Sequence, residues 1–424
     1  MDTERAAVPV VRPALAAACP ALRDGSAADA VGGVVPSFVA SPASTAEVAA
    51  LLRAAASCRL AVVPRGAGTG LPWGAPPAAC DLVVDLRAMD QVLEHAAGDL
   101  VARVQAGTTI GQLSAALGGA GQQLALDVPA EATVGGVVAT GTAGPRRLRY
   151  GAPRDLLIGL TVVRPDGVVA HSGGKVVKNV AGYDIGKLFC GSQGTLGLVT
   201  EAAFRLHPVP AAAAWVTAEF GPPELARVAA AVAGAAGSAL VPSAVELDWP
   251  GIPRALRVGV LLEGTSPGVA ERAKRVSELL ASGGGSVSVA ETAPARWGRL
   301  PSGGTVIRVS FWVSRLGEVL EAVALAGPSA GVRPVVTGSA GAGVLYVCLE
   351  PAVERDLAAR FVELLRSRLS GAPARGSLVV LAGALAAGAD VFGEVPGARL
   401  MRAVKDQFDP DHRMFPGRLA FAGR

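Results

Sequence analysis

The sequence predicts an α+β fold built in more than one part, and three observations predict it. The first is a pair of glycine-rich passages, Ala132–Pro145 and Lys175–Glu201, of the kind needed where a backbone comes close to a large flat ligand. The second is the strand-like run Arg59–Val63, which feeds the loop Pro64-Arg65-Gly66-Ala67-Gly68-Thr69-Gly70. The third is a change of pattern from Trp215 onward, where strand-like and helix-like runs follow the order β-α-β-β-α-β twice, the order of a ferredoxin-like unit.

In chain order, residues 1–35 are alanine-rich and hold a short helix at most. Ser44 and Thr45 then cap a helix over Glu47–Ala56, whose apolar residues recur at helical spacing. The run 59–63, the 64–70 loop and the strand Leu82–Leu86 give a β-α-β start. Leu100–Ala106 alternates as a half-exposed strand, and Thr108 or Thr109 caps a helix over Ile110–Leu117 that Gly118 and Gly119 stop. Leu160–Val163 and Val168–His171 form a hairpin through Pro165-Asp166-Gly167, and Gly197–Leu206 is the next strand. Beyond it, strands are predicted at 215–220, 244–247, 256–263 and 286–290 with helices at 222–233 and 268–281. The second set has strands near 305–311, 334–337, 344–349 and 377–381 and helices near 314–326 and 352–368. A last helix over Ala398–Phe408 leads into Phe408-Asp409-Pro410-Asp411-His412-Arg413-Met414-Phe415-Pro416-Gly417-Arg418.

Composition narrows the function. A net charge of +4 over 424 residues is too small to argue for nucleic acid. Five scattered cysteines without a CxxC pair speak against disulfides, zinc and cysteine-ligated clusters, and fit a reducing compartment. The opening Met1-Asp2-Thr3-Glu4-Arg5 lacks the basic and apolar regions of a signal peptide. The long uncharged stretch Val104–Leu126 is interrupted by glycines and glutamines, so no spanning helix is expected and membrane association is peripheral at most. Of 39 basic residues only five are lysine, and three of those, Lys175, Lys178 and Lys187, cluster in the second glycine-rich passage.

The 64–70 loop offers consecutive backbone N–H groups free of side chains, which suits a pyrophosphate. Its spacing is not the dinucleotide GxGxxG, and no acidic residue is placed for a ribose. The segments 133–145 and 193–200 supply more closely approaching backbone, and three such loops favour one large cofactor over unrelated turns. Thr133 either caps a short helix or offers its hydroxyl to phosphate, Arg154-Asp155 reads as an ion pair fixing a loop, and Cys190 as a small buried hydrophobe. The four histidines, His95, His171, His207 and His412, are far apart and none sits at i, i+3 or i, i+4, so no metal site is expected.

Together, Pro64–Gly70, Ala132–Pro145, Tyr150–Asp155 and Lys178–Glu201 resemble the FAD-binding domain of the vanillyl-alcohol oxidase/p-cresol methylhydroxylase (PCMH) superfamily. Within it, Thr142–Arg147 combined with Val177–Asp184 most resembles the FAD-binding subunits of bacterial glycolate oxidases. The resemblance covers residues 36–210, reappears at 405–418, and extends to the middle only through element order. It implies an N-terminal extension (1–35), a PCMH-type FAD-binding domain of two α/β subdomains (36–210), a cap domain of ferredoxin-like βαββαβ units (211–395) and a C-terminal return to the FAD domain (396–424).

The same resemblance implies FAD contacts from Pro64, Arg65, Gly66, Ala67, Gly68, Thr69 and Gly70, from Asp127, Thr133, Gly135, Gly136, Thr140, Gly141, Thr142 and Ala143, and from Tyr150, Gly151, Gly194, Leu198 and Val199. Some relatives attach flavin through a histidine where this chain has Thr69, so noncovalent FAD is expected. Lys178, Tyr183 and Lys187 read as capping or loop-fixing residues. Phe415 replaces the asparagine that precedes Pro-Gly-Arg in relatives, which removes the polar contact made there. The implied function is oxidation of glycolate to glyoxylate together with a larger FAD-binding subunit and an iron–sulfur subunit, in the cytoplasm or peripherally at the inner face of the membrane. Two alternatives remain open. One is a stand-alone FAD-dependent dehydrogenase of another 2-hydroxy acid such as D-lactate, with Arg147, Arg308 or Arg333 as carboxylate clamp. The other is a non-catalytic flavin relay or structural subunit, since the relatives' histidine cluster is missing. No catalytic base is identified.

Overall fold

The computed structural model of the chain describes residues 8–174, 183–221, 224–251, 253–299, 303–370, 377–386 and 390–419. Lys175 and Lys178 lie outside the described residues. The chain divides into two compact units. The first takes in the chain up to Thr142, Ala152–Pro208 and the stretch from Pro396, and the second Ala143–Gly151 and Val209–Val395.

The first unit opens with α1 (Val8–Ala18) and β1 (Leu22–Asp24), followed by β2 (Phe38–Ala40), α2 (Thr45–Ser57), β3 (Val62–Arg65) and β4 (Leu82–Asp85). Its first sheet has the order β1-β2-β4-β3, with β2, β4 and β3 parallel and β1 antiparallel at the edge. Ser44 starts α2 by accepting the Glu47 N–H at 3.2 Å, while the Glu47 carboxylate accepts the Ala43 N–H at 3.0 Å. Val48, Leu51, Leu52 and Ala55 form the stripe this helix buries, and each leucine removed from water adds about 2 kcal/mol. The strand after it starts at Val62 instead of Arg59, because Arg59 takes a left-handed φ of 53° in the turn leaving α2. Pro64 and Arg65, expected in the loop, are therefore the last two residues of the strand. Pro64 is tolerated there because β3 ends the sheet.

The second sheet of this unit is antiparallel, order β5-β6-β10-β8-β9, with β5 (Val92–Ala96), β6 (Val101–Gln105), β8 (Leu157–Val163), β9 (Val169–Gly173) and β10 (Leu198–Arg205). Between these run α3 (Ile110–Gly118), β7 (Gln122–Gln123), α4 (Val134–Thr140), α5 (Arg147–Tyr150), which belongs to the second unit, α6 (Pro153–Leu156) and α7 (Gly186–Phe189). Thr109, rather than Thr108, caps α3. Its hydroxyl accepts the Gln112 N–H at 3.1 Å and the Gln112 amide oxygen accepts the Thr109 N–H at 2.8 Å. The predicted hairpin forms between β8 and β9. β11 (His207–Pro208) pairs with β7.

The second unit is one eight-stranded sheet of order β15-β12-β14-β13-β17-β18-β16-β19. Its elements are β12 (Ala212–Phe220), α8 (Leu225–Ala236), β13 (Ala244–Trp249), β14 (Leu256–Gly264), α9 (Ser266–Ser282), β15 (Ser286–Ala290), β16 (Thr305–Ser310), α10 (Leu316–Ala330), β17 (Val335–Gly338), β18 (Val344–Leu349), α11 (Arg355–Leu369) and β19 (Ser377–Ala382). Each half is a βαββαβ unit in ferredoxin-like strand order, and the halves join antiparallel through β13 and β17. The helices bury period-3.6 stripes such as Val228, Ala231, Val232 and Ala235 on α8 and Ala358, Phe361, Val362 and Leu365 on α11.

After α12 (Ala398–Phe408) the chain is back in the first unit, where Phe408 meets Phe189 edge-on at 5.6 Å. The closing motif then adds a rung to the outer edge of β3: Val62 N–H donates to Arg413 O and Phe415 N–H to Val62 O, both at 2.8 Å. Buried Asp409 accepts the N–H groups of Arg413 (3.2 Å) and Met414 (2.8 Å) and pairs with Lys405. Lys405 also donates to Thr195 O at 2.6 Å and Met414 O at 3.1 Å. Burial pushes its ammonium below the usual lysine range, with Asp409 opposing the shift. Among the described residues no helix is long and apolar enough to cross a membrane.

Candidate cofactor site

The loop that leaves β3, the start of α4 and the turn before β10 converge in the first unit on a cavity. Of the predicted contacts, Pro64, Arg65, Gly66, Ala67, Gly68, Thr69, Gly70, Thr133, Gly135, Gly136, Thr140, Gly194, Leu198 and Val199 line it. Two close approaches explain the glycines. A Cβ on Gly66 would stand 2.0 Å from the Thr133 hydroxyl, and one on Gly194, whose φ is 74°, would stand 2.9 Å from the Pro64 ring. The three loops touch because those side chains are missing.

The remaining predicted contacts, Asp127, Gly141, Thr142, Ala143, Tyr150 and Gly151, do not line the cavity. Gly141 is the left-handed C-cap of α4 (φ 66°), and the Thr142 hydroxyl pairs with that of Thr140 at 2.6 Å. Ala143, Tyr150 and Gly151 belong to the second unit, where the Tyr150 hydroxyl donates to the Glu263 carboxylate at 3.0 Å beneath the guanidinium groups of Arg146 and Arg149. Burial first, then Glu263, raises the Tyr150 pKa. Asp155 fixes the turn after Gly151 by accepting the Ala152 N–H at 2.8 Å.

The cavity favours an anion. Among the described residues no protein group accepts the backbone N–H groups of Gly66 to Gly70, which leaves a run of donors along one wall. Thr133 occupies the N-cap position of α4, but its hydroxyl makes no capping bond and stays available. Arg65 reaches Asp29 at 3.2 Å and Asp85 at 3.0 Å, so its charge is compensated. Asp29 is held well below the carboxylate range, chiefly by the Arg23 hydrogen bonds at 2.6 and 2.7 Å. For Asp85, burial pushes upward but the hydrogen bonds from Arg87 and the charge of Arg65 outweigh it, and the net shift is down.

Arg418, Gln193, Leu71, Leu86, Ala106, Ala139, Ser192 and Phe415 also line the cavity without having been singled out as contacts. Leu86 and Ala106 lie just past the ends of β4 and β6, and nothing in their local sequence marks them. Arg418 carried a signal, as an arginine inside a motif already known to close the chain. The aromatic ring of Phe415 lies under its guanidinium, 4.6 Å from the centroid.

None of the four histidines lines the cavity. His95 bonds Gln122 at 2.9 Å, His171 bonds Thr161 at 3.1 Å and His412 faces Asp406 at 3.1 Å. Lys187 pairs with Asp184 at 2.6 Å, a loop-fixing role, and Tyr183 is 93% exposed. No three His, Cys, Asp or Glu among the described residues gather as a metal site. The lining therefore binds and orients, and it holds no group that titrates near neutrality. Free N–H donors, an unspent hydroxyl, a cationic wall and apolar surfaces from Leu71, Leu86 and Leu198 fit FAD. The 64–70 loop and Thr133 would take its phosphates and the apolar walls its rings.

Residues 36–173 match the family described as FAD binding domain. Over 270 residues the chain is 33% identical to glycolate oxidase subunit GlcD of Bacillus subtilis, a match covering 60% of this chain and 57% of that one. It is 38% identical over 213 residues to an uncharacterized FAD-linked oxidoreductase of Mycobacterium tuberculosis, covering 50% of this chain and 46% of the relative. It is 40% identical over 171 residues to D-lactate dehydrogenase of Archaeoglobus fulgidus, covering 40% and 38%. The chain thus spans about half the length, or less, of these relatives. Among solved structures, 4-ethylphenol oxidase from Gulosibacter chungangensis superposes with a TM-score of 0.75 at 17% identity, over 97% of this chain and 96% of the other. p-Cresol methylhydroxylase with substrate bound gives 0.72 at 16%, over 97% and 96%. Residues 36–173 thus match an FAD-binding domain, and nearly the whole chain shares the fold of p-cresol methylhydroxylase.

Proposed function

We propose that the chain is an FAD-dependent oxidoreductase acting on the CH–OH group of 2-hydroxy acids, and more specifically the FAD-binding subunit of a glycolate oxidase complex. In that complex glycolate becomes glyoxylate with the help of a larger flavoprotein subunit and an iron–sulfur subunit. The observation that carries the reading is the glycine-walled cavity with its free N–H donors, in a chain whose relatives include a glycolate oxidase subunit and a D-lactate dehydrogenase. Bound FAD supplies acceptance of two electrons from the hydroxy acid. The chain's own residues bind and orient it: Gly66 to Gly70 and Thr133 hold the anionic part, while Leu71, Leu86 and Leu198 exclude water from the flat part. We assign this role to residues 36–210 with the return 396–424, and substrate or partner binding to 211–395, with the protein in the cytoplasm or peripheral to the membrane.

One observation favours the alternative of a self-sufficient dehydrogenase. Arg308, Tyr346, Thr337 and Asp248 stand in register across β16, β18, β17 and β13, on one face of the sheet. The Arg308 Nε is buried without a hydrogen-bond partner, as a carboxylate clamp awaiting its ligand would be. Anaerobic absorbance of the purified chain, before and after glycolate and then D-lactate, decides between the two. Bleaching of the flavin band by either acid alone supports the self-sufficient enzyme. A flavin that stays oxidised until the partner subunits are added supports the complex. A flavin reduced under neither condition overturns both.

A further inference from the structure

Arg418 is a cation for which no carboxylate among the described residues forms an ion pair. It is 2% exposed, and it donates from Nε to the Gln193 amide oxygen (2.7 Å), from Nη1 to Leu71 O and Ala75 O (3.1 Å each) and from Nη2 to Gly70 O (2.9 Å). These neutral acceptors satisfy its hydrogen bonds and leave its charge uncompensated, unlike that of Arg65. Burial alone pushes its pKa down to about 10. The bonds tie the exit of the 64–70 loop to the 192–194 turn, so both walls of the cavity depend on one side chain.

The segment that presents Arg418 is anchored by Asp409, by the rung on β3, by Arg413 donating to Leu60 O (3.5 Å) and Pro165 O (2.8 Å), by Lys405 donating to Met414 O, by Ala78 N–H donating to Pro416 O (2.7 Å) and by Arg418 itself. It also contains Phe415 at a φ of 44°, a conformation that a non-glycine residue keeps only when its surroundings enforce it.

We propose that Arg418 is the residue whose charge the phosphates of bound FAD compensate, and that Asp409–Arg418 is a latch whose closure over the edge of β3 and FAD binding stabilise each other. Without the cofactor the buried charge opposes closure, and with it the same charge favours closure. The coupling is reciprocal, so whatever weakens the latch weakens FAD by the same factor. The proposal concerns cofactor binding alone and holds or fails separately from the choice of hydroxy acid or partner subunits.

The test is hydrogen–deuterium exchange on the flavin-free full chain, alone and saturated with FAD, ADP or riboflavin, together with binding constants for each ligand. Amides of 409–418 are expected to exchange at least tenfold more slowly with FAD or ADP and at an unchanged rate with riboflavin. Arg418→Gln should bind FAD and ADP about 10- to 100-fold more weakly and riboflavin within twofold, with Arg418→Lys intermediate. Arg402→Gln, an exposed change on α12, should alter neither. Equal exchange of the wild-type segment with and without FAD would overturn the latch, even if the variants do not fold. FAD binding by Arg418→Gln within twofold of wild type, or an equal loss for riboflavin, would overturn the role of the charge.

Discussion

Replacing Gly66 with alanine tests whether contact between the loops builds the cofactor site. The new methyl carbon would lie 2.0 Å from the Thr133 hydroxyl oxygen, 3.1 Å from its Cβ and 3.3 Å from its Cγ2. An ordinary carbon–oxygen contact is more than an ångström longer, so one of the two residues must move. Thr133 is 2% exposed and β-branched, with little rotamer freedom to yield. Overpacking of this kind costs about 1–3 kcal/mol. If that strain falls on the arrangement that binds FAD, affinity drops by roughly one to two powers of ten. Thr133→Ala removes the oxygen and Cγ2 and leaves Cβ as the nearest of the three atoms, tight by only a few tenths of an ångström. The double variant should therefore bind FAD more tightly than Gly66→Ala alone, with a coupling of about 1 kcal/mol or more in a double-mutant cycle. Quenching of FAD fluorescence gives the affinities, and melting curves show whether the fold survives. Gly66→Ala binding FAD within twofold of wild type, or a cycle without coupling, would refute the reasoning.

Other outcomes follow from the same structure. Asp29→Asn should cost about 1–3 kcal/mol at neutral pH by weakening the bonds from Arg23 and Arg65. Because the folded Asp29 carboxyl titrates below its unfolded value of about 3.9, its stabilisation is complete above that pH and lost as pH falls through the folded value. The denaturant-midpoint difference between wild type and variant should therefore shrink below about pH 4, and a constant difference would contradict the assignment. Burial pushes the thiols of Cys80 and Cys348 up to about 12, so a thiol reagent at pH 8 should label both only as the protein unfolds. Acid precipitation should release all of the flavin into the supernatant, as Thr69 offers no ring nitrogen for attachment, and yellow protein in the pellet would contradict this.

The doubled βαββαβ order was legible because strands of the second unit carry apolar runs, such as Val258–Leu262 on β14 and Val344–Leu349 on β18, and its helices clear 3.6-residue stripes, as on α8 and α11. The short edge strands β1 and β5 were not. β1 has only Leu22 among charged neighbours, and β5 carries Glu94 and His95 and is only half buried along its length. Neither has an apolar run to betray it, and sheet pairing supplies what propensity lacks. α4 was legible only through Thr133 as the cap of a short helix, since Gly135 and Gly136 read as loop although the buried Val134, Val137 and Val138 hold the helix in place.

At the site, the glycine loops were readable from local sequence, whereas Gln193 and Arg418 come together only through the return of the chain to β3. Tyr150 and Gly151 read as cofactor contacts from the resemblance, and in the structure they belong to the second unit. Glu263, the partner of Tyr150, lies over a hundred residues away, and no local pattern announces it.

The seam of the second unit's sheet has a mechanical consequence. β12 and β14 run together from Ala212–Gly264 to Phe220–Leu256, but among the described residues the strands of the two halves pair over just the short register from Leu247–Gly338 to Trp249–Val336. Drawn apart across the strands, this sheet should tear between β13 and β17 before any pairing within a half gives way. The first core side chain bared to water would be Trp249, so its fluorescence would report the rupture.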